Sequence, residues 1–238
     1  MTRIAVSQSN YLPWKGYFDL IHDADRFVFY DDVQYTKNDW RNRNLVKGAN
    51  GPQWLTVPVG DHIRRRVCEV AIRDARWQAK HWKTLRQLYA KAPHFPRYRA
   101  FFEHVYLERR WISLASLNQY LIEAISRDFL GMKTEFLHSS DYPRRGRKQD
   151  ALLELLALLG AKVYVSGPSA QNYIEPERFA SNNVELLWKD YSGYPEYRQF
   201  FAPFEHRVSI VDLLFHTGPE AGFYIWGWRD AKRSRSAA

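Results

Sequence analysis

Asp31 and Asp32 stand side by side at the end of an apolar run, Arg26-Phe27-Val28-Phe29-Tyr30, and polar and aromatic residues gather close to them in the chain. Gln8-Ser9-Asn10-Tyr11-Leu12-Pro13-Trp14-Lys15 precedes them, and Gln34, Asn38 and Trp40-Arg41-Asn42-Arg43-Asn44 follow. A carboxylate beside a ligand amine or hydroxyl can act as general base, with its proton affinity set by burial. In an extended segment neighbouring side chains diverge, so one aspartate can face a site while the other holds its loop. Asp32 is the candidate base, with Asp31 and His81 as further catalytic candidates. Asn10, Gln34, Asn38 and Asn42, with Gln8, supply donors and acceptors suited to sugar hydroxyls or an amide. Arg41, Arg43 and Lys15 suit phosphate or carboxylate. Tyr11, Trp14 and Trp40 offer stacking faces. Each has a plainer reading: the aspartates as caps of a strand-end loop, Trp40 as loop packing, and His81, near Trp77, Lys80 and Leu85 on a helix, as a satisfied structural group.

The elements that must position these residues alternate. Ile4 to Ser7 reads as a buried strand, Gly16 to Ala24 as a helix with Tyr17, Phe18, Leu20 and Ile21 at helical spacing, and Phe27 to Tyr30 as the next strand. Such an order begins an open parallel sheet, whose strand carboxyl ends frame a ligand crevice. Gln8 to Lys15 and Asp31 to Tyr35 then share one sheet edge. Asn44 to Lys47 and Trp54 to Val59 flank Gly48-Ala49-Asn50-Gly51, a hairpin signal, and the alternation of Val67 to Ile72 predicts a strand holding Cys68. Helices are expected at Trp77 to Lys91, Tyr98 to Glu108 and Leu114 to Leu130. Strands follow at Thr134 to Leu137, Lys162 to Val165 and Val184 to Trp188, with helices at Lys148 to Leu159 and Ser209 to Phe215. The small, polar loop at Ser166, Gly167 and Tyr173 follows a strand and is a further binding candidate. The fold class is therefore α/β: an open, mostly parallel, Rossmann-like sheet with a β-hairpin and a helical insertion at 75–131, in a single domain over 1–238.

Composition narrows the function classes. Hydrophobic residues make up 45% of the 238, enough for a packed core. One cysteine excludes an internal disulfide. Neither HExxH nor other ligand spacing joins His62, His81, Asp31 and Asp32, so no metal is expected, and without GxGxxG or a Walker loop no dinucleotide site is expected. The cofactor stays unknown. No apolar run reaches transmembrane length and the amino terminus does not read as a signal peptide, which predicts a cytoplasmic protein. The net charge of +9 favours an anionic small-molecule substrate. Basic clusters at Arg64-Arg65-Arg66, at Arg144-Arg145-Gly146-Arg147-Lys148 and in the tail from Arg229 to Arg235 read as solvated segments. No DNA- or RNA-binding signature accompanies them, so no specific nucleic acid is expected.

Several of these motifs together resemble the WbqC-like protein family: Gln8 to Trp14 with Gly16-Tyr17-Phe18, Asp31-Asp32-Val33-Gln34, Trp40 with Asn42-Arg43-Asn44, and Trp54 to Val59. His81, Tyr89 and Pro93, Gly160-Ala161, Ser166-Gly167 with Tyr173, Tyr197, Gln199, Phe204 and Ser209 to Leu214 extend the likeness over most of the chain. Ser9 stands where the family pattern has proline, and His216 where it has asparagine. The resemblance implies a bacterial protein of cell-surface polysaccharide (O-antigen, lipopolysaccharide) precursor biosynthesis, working on nucleotide-linked amino sugars. A transferase that adds an acyl or aminoacyl group to the sugar amine is the leading expectation, with nucleotidyl or other group transfer, the basic loops holding phosphates, and a noncatalytic binding or scaffold role as alternatives.

Overall fold

The computed structural model describes residues 1–231, so Lys232, Arg233 and Arg235 of the basic tail lie outside the described residues. Five strands form a parallel sheet in the order β5-β2-β1-β6-β7: β1 Arg3–Ser7, β2 Arg26–Phe29, β5 Glu135–His138, β6 Val163–Ser166 and β7 Glu185–Trp188. The central strand β1 aligns Ile4 with Arg26 of β2 on one side and with Tyr164 of β6 on the other. Alternation along these strands serves two cores. Ala5, Phe27, Phe29, Val163 and Val165 face one apolar cluster, while Ile4, Val28 and Tyr164 face another. Phe27 is wholly buried, and Phe27→Ala would cost about 3–5 kcal/mol.

The first cluster is roofed by α1 (Lys15–His22), whose Tyr17, Phe18 and Ile21 sit at helical spacing, and by α2 (Arg76–Tyr89), α3 (Phe95–Glu103), α4 (Leu114–Ala124) and α7 (Ile210–Thr217). An antiparallel hairpin, β3 (Arg43–Gly48) and β4 (Gly51–Thr56), joins the same cluster through Val46 and Leu55. Its two-residue turn ends at Gly51, whose φ of +98° suits glycine. The second cluster is covered by α5 (Gln149–Leu158) and α6 (Pro176–Ser181), with Phe179 stacked on Tyr164. The chain thus grows from β1 toward β2 and β5, then crosses to β6 and β7. A crevice opens at the carboxyl ends where that direction reverses.

Two sequence expectations are corrected, and one helix is added. Val67 to Ile72 is not a strand: Val67–Glu69 is a 3-10 turn, closed by the Glu69 carboxylate accepting from the Arg66 backbone N–H at 2.7 Å and from its guanidinium at 2.6 Å. Val67 and Val70 are buried and Cys68 is exposed, a period of three that two intervening residues disguised as alternation. Helix α6 went unforeseen because its short, polar stretch shows little apolar periodicity. Arg229 is not part of a solvated end, since its guanidinium donates to the buried Asp19 at 2.6 and 2.9 Å.

Candidate functional site

A cleft of about 930 Å³ lies at the carboxyl ends of β1, β2 and β6. Val6, Ser7 and Gln8 form one wall, Tyr30 and Arg41 a second, the start of α5 a third, and Tyr173 to Glu175 with Arg178 the fourth. That size suits a ligand of several rings. Arginines and a lysine from three separate segments (Arg41, Arg147, Lys148, Arg178) meet there, although Arg178 is ion-paired with Asp150.

The loop that enters α5 is built with care. Glu154, one turn into the helix, accepts the backbone N–H of Arg145 at 2.8 Å and of Gly146 at 3.1 Å. These bonds hold the Glu154 carboxyl below its usual range and fold the basic segment back on the helix start. Gly146 is needed for that approach, because a Cβ there would lie 2.7 Å from the Asp150 Cβ and 2.9 Å from the Ala151 nitrogen. Lys148 takes a positive φ of 52° and leaves α5 without a side-chain cap; the Asp150 N–H already donates to the Arg147 carbonyl at 3.1 Å, which leaves the Gln149 N–H for an anion. Beside this loop the Arg144 side chain is 8% exposed and paired with Asp32. Its guanidinium lies 4.9 Å over the Tyr30 ring, and Nη1 has no hydrogen-bond partner among the described residues.

The residues singled out from the sequence divide among several environments. Gln8 and Tyr173 line the cleft. Asp32 does not line it; its oxygens accept from Ser139 Oγ and Arg144. Asp31 is buried, accepting the Ser9 N–H and the Gln119 amide, both at 2.8 Å. Burial raises its carboxyl, with those hydrogen bonds opposing. Tyr11 and His81 do not face the crevice. They are buried, with the Tyr11 hydroxyl 2.8 Å from His81 Nδ1 and 2.5 Å from the Tyr106 hydroxyl. Desolvation lowers the His81 imidazole to about 4, which leaves it neutral at pH 7. The aromatic residues around it, Trp77 and Tyr106, explain why a histidine on this helix turns inward.

The amides are mostly clamps on backbone. Asn42 is buried and donates to the Val57 carbonyl at 3.0 Å, and Asn44 donates to the carbonyls of Tyr11 and Leu12. This second pair holds Leu12 at a φ of 42°, where the Gln8–Trp14 loop turns. Gln34 and Asn38 are exposed, and Asn38 offers its carbonyl to Arg43. Arg43 also lies 4.1 Å over Trp54, which packs on Trp40. Ser166 is buried at the end of β6, and neither it nor Gly167 lines the cleft; a Cβ on Gly167 would meet only the Tyr191 hydroxyl, at 3.6 Å.

Lys15 is enclosed as well. Its ammonium sits 4.8 Å over Tyr194 and 5.7 Å over both Tyr197 and Phe204, with no hydrogen-bond partner among the described residues. Desolvation lowers it to about 8, with Asp212 and Glu196 opposing. Asn10, Trp14 and Trp40 line a separate, smaller cavity.

The chain matches the WbqC-like protein family over residues 8–224. It belongs to that family. An uncharacterized protein, Rv1507c, of Mycobacterium tuberculosis is 42% identical over 227 residues, covering 94% of this chain and 98% of the relative. No solved structure matches. The WbqC-like match takes in both the Gln8–Trp14 loop and the α5 entry. His216 donates from Nδ1 to the Asp212 carbonyl at 2.7 Å and accepts the Phe200 N–H at 3.3 Å, so both ring nitrogens are used in the core. Among the described residues no group of three or more His, Cys, Asp or Glu could hold a metal ion, and no helix is long and apolar enough to cross a membrane. Arg147, Lys148 and Arg178 line the cleft and were not among the site candidates. The signal for the first two was present: a basic run containing glycine, immediately before a helix start.

Proposed function

We propose that this member of the WbqC-like family binds a nucleotide-linked amino sugar in the switch-point cleft and transfers an acyl or aminoacyl group to its amine. The observation that carries the binding half is the Asp32–Arg144 pair beside the cleft: a buried guanidinium, held by a carboxylate, with one nitrogen unpartnered among the described residues, next to an uncapped helix start. A diphosphate in the cleft would accept from the Gln149 N–H at the start of α5 and pair with Arg147 and Lys148, and a turn of the buried Arg144 guanidinium would bring Nη1 within its reach. The acyl-transfer half rests on the setting that the family resemblance implies. In that reaction the sugar nitrogen attacks the activated acyl carbon and a C–N bond forms. The bond to the activating group then breaks, and the amine proton leaves to solvent at the open side of the cleft.

On this reading Asp32 positions Arg144 rather than serving as general base, since its oxygens are already engaged. Asp31 ties the ends of β1 and β2 together, and His81 and Tyr11 support the loop from within. The test is incubation with a panel of nucleotide-linked amino sugars and activated acyl or aminoacyl donors, followed by mass measurement of the sugar. A gain of one acyl or aminoacyl mass supports the proposal. Exchange of the nucleotide would instead mark a nucleotidyltransferase, and saturable binding without turnover a binding protein.

A further inference from the structure

A second cavity, about 220 Å³, is lined by Asn10, Pro13, Trp14, Trp40, Asn44 and Arg207. It shares its supporting loops with the larger cleft: Gln8 and Arg41 line one cavity, and Asn10 and Trp40 line the other. Its walls are fixed. The Trp14 indole lies across the start of α1, which only glycine at position 16 permits, since a Cβ there would come within 2.2 Å of the ring. Tyr191 and Tyr194 meet the same indole edge-on at 5.2 and 6.1 Å. On the opposite side Trp40, 40% exposed, is backed by Trp54, which is in turn covered by Arg43.

Two polar groups punctuate this apolar space. Asn10 borders the space half-buried, and its Oδ1, turned away from solvent, has no hydrogen-bond partner among the described residues; a ligand donor would relieve that state once the amide turns toward it. The Arg207 side chain is 81% exposed; its closest carboxylate oxygen, on Glu205, stands 3.9 Å from Nε. The Asn44 amide is already spent on the backbone. We infer that this cavity is a second ligand site, for a single acidic monosaccharide ring. The apolar C–H face of the ring would lie against Trp14 and Trp40, a hydroxyl would donate to Asn10 Oδ1, and a carboxylate would reach Arg207. A pyranose joins an apolar face to a hydroxylated edge, which matches tryptophan walls beside a buried acceptor. The site does not depend on what the larger cleft holds.

Titration of the whole protein with glucuronate, glucose and benzoate, followed by tryptophan fluorescence and saturation-transfer NMR, tests this. Glucuronate is expected to bind saturably, and glucose about tenfold more weakly. Arg207→Ala should bring glucuronate down to the level of glucose and leave glucose unchanged, because that side chain is exposed and its loss spares the fold. Trp40→Ala should weaken both sugars by at least about tenfold, whereas Arg147→Ala, in the larger cleft, should change neither. The inference fails if glucuronate does not bind, if its binding ignores Trp40→Ala and Arg207→Ala, or if benzoate binds more tightly than glucuronate. A UDP titration of the same variants reads the larger cleft separately.

Discussion

Arg144 and Lys15 are both buried cations, and the chain treats them in opposite ways. Arg144 is matched by the Asp32 carboxylate and lies over a tyrosine that lines the open cleft. Lys15 has three aromatic rings around it and no hydrogen bond among the described residues. A guanidinium has donors in several directions, so one edge can be pinned by a carboxylate while another is offered to a ligand. An ammonium among ring faces gains some cation–π attraction but loses its hydration. The first arrangement braces the Tyr30 wall of the cleft from behind. The second burdens the fold with a charge that folding alone does not require.

Breaking the matched pair should have the largest effect. Asp32→Ala leaves Arg144 buried without its counter-charge and should destabilise the protein by about 3–5 kcal/mol, read by urea denaturation. The double variant Asp32→Leu with Arg144→Met should lose less than Asp32→Ala alone, because no bare charge remains. A double variant that loses more would show that the pair stabilises for reasons other than charge matching.

Ligand binding sharpens the contrast further. Arg144→Met should weaken a nucleotide diphosphate probe by about 10- to 100-fold, the scale of a charge-assisted hydrogen bond. Calorimetric titration reads this directly, with the Asp32→Leu, Arg144→Met double variant run beside it, because the single variant leaves the Asp32 carboxylate without its counter-charge.

Lys15→Met should go the other way. Replacing the ammonium with a thioether of similar length removes the desolvation penalty and should stabilise the protein by on the order of 2 kcal/mol at pH 7. The sign follows from a lysine lowered from 10.5 to about 8 on folding. Below pH 8 both states carry the proton and the folded state bears the whole penalty. Between pH 8 and 10.5 the folded state releases its proton first, so the wild type gains stability as pH rises. The advantage of Lys15→Met should therefore shrink over that window and vanish above it. A constant advantage would mean that packing, not charge, is responsible.

The smallest change is expected from Arg147→Ala, an exposed charge at the mouth of the cleft. It should weaken the same diphosphate probe only about three- to fivefold, and the loss should fade as salt is raised.

The sheet was legible because its strands are short apolar runs set between polar loops. Ile4 to Val6, Phe27 to Phe29 and Val163 to Val165 declare themselves, and the hairpin is announced by Gly48 and Gly51. The place of the cleft followed from strand order. Its lining was harder to read, since residue type does not say whether an amide is spent on a ligand or on backbone. Asn42 looks like a sugar-binding amide and is a loop clamp. Tyr11 and His81 look like site residues and satisfy each other in the core. Arg144 looked like one charge in a solvated run, because its partner Asp32 lies 112 positions away and no local pattern connects them.

The central strand has its own consequence for how this protein is made. β1 is the first of the five strands to be made and can pair with β2 within a few dozen residues, but its other edge belongs to β6, which begins at Val163. At ordinary synthesis speeds that edge waits on the order of ten seconds or more with its backbone groups unmatched. During this interval the nascent chain exposes a strand edge open to foreign pairing. The apolar helices α2 to α4, all translated in the gap, can cover one face of the growing sheet but cannot close that edge.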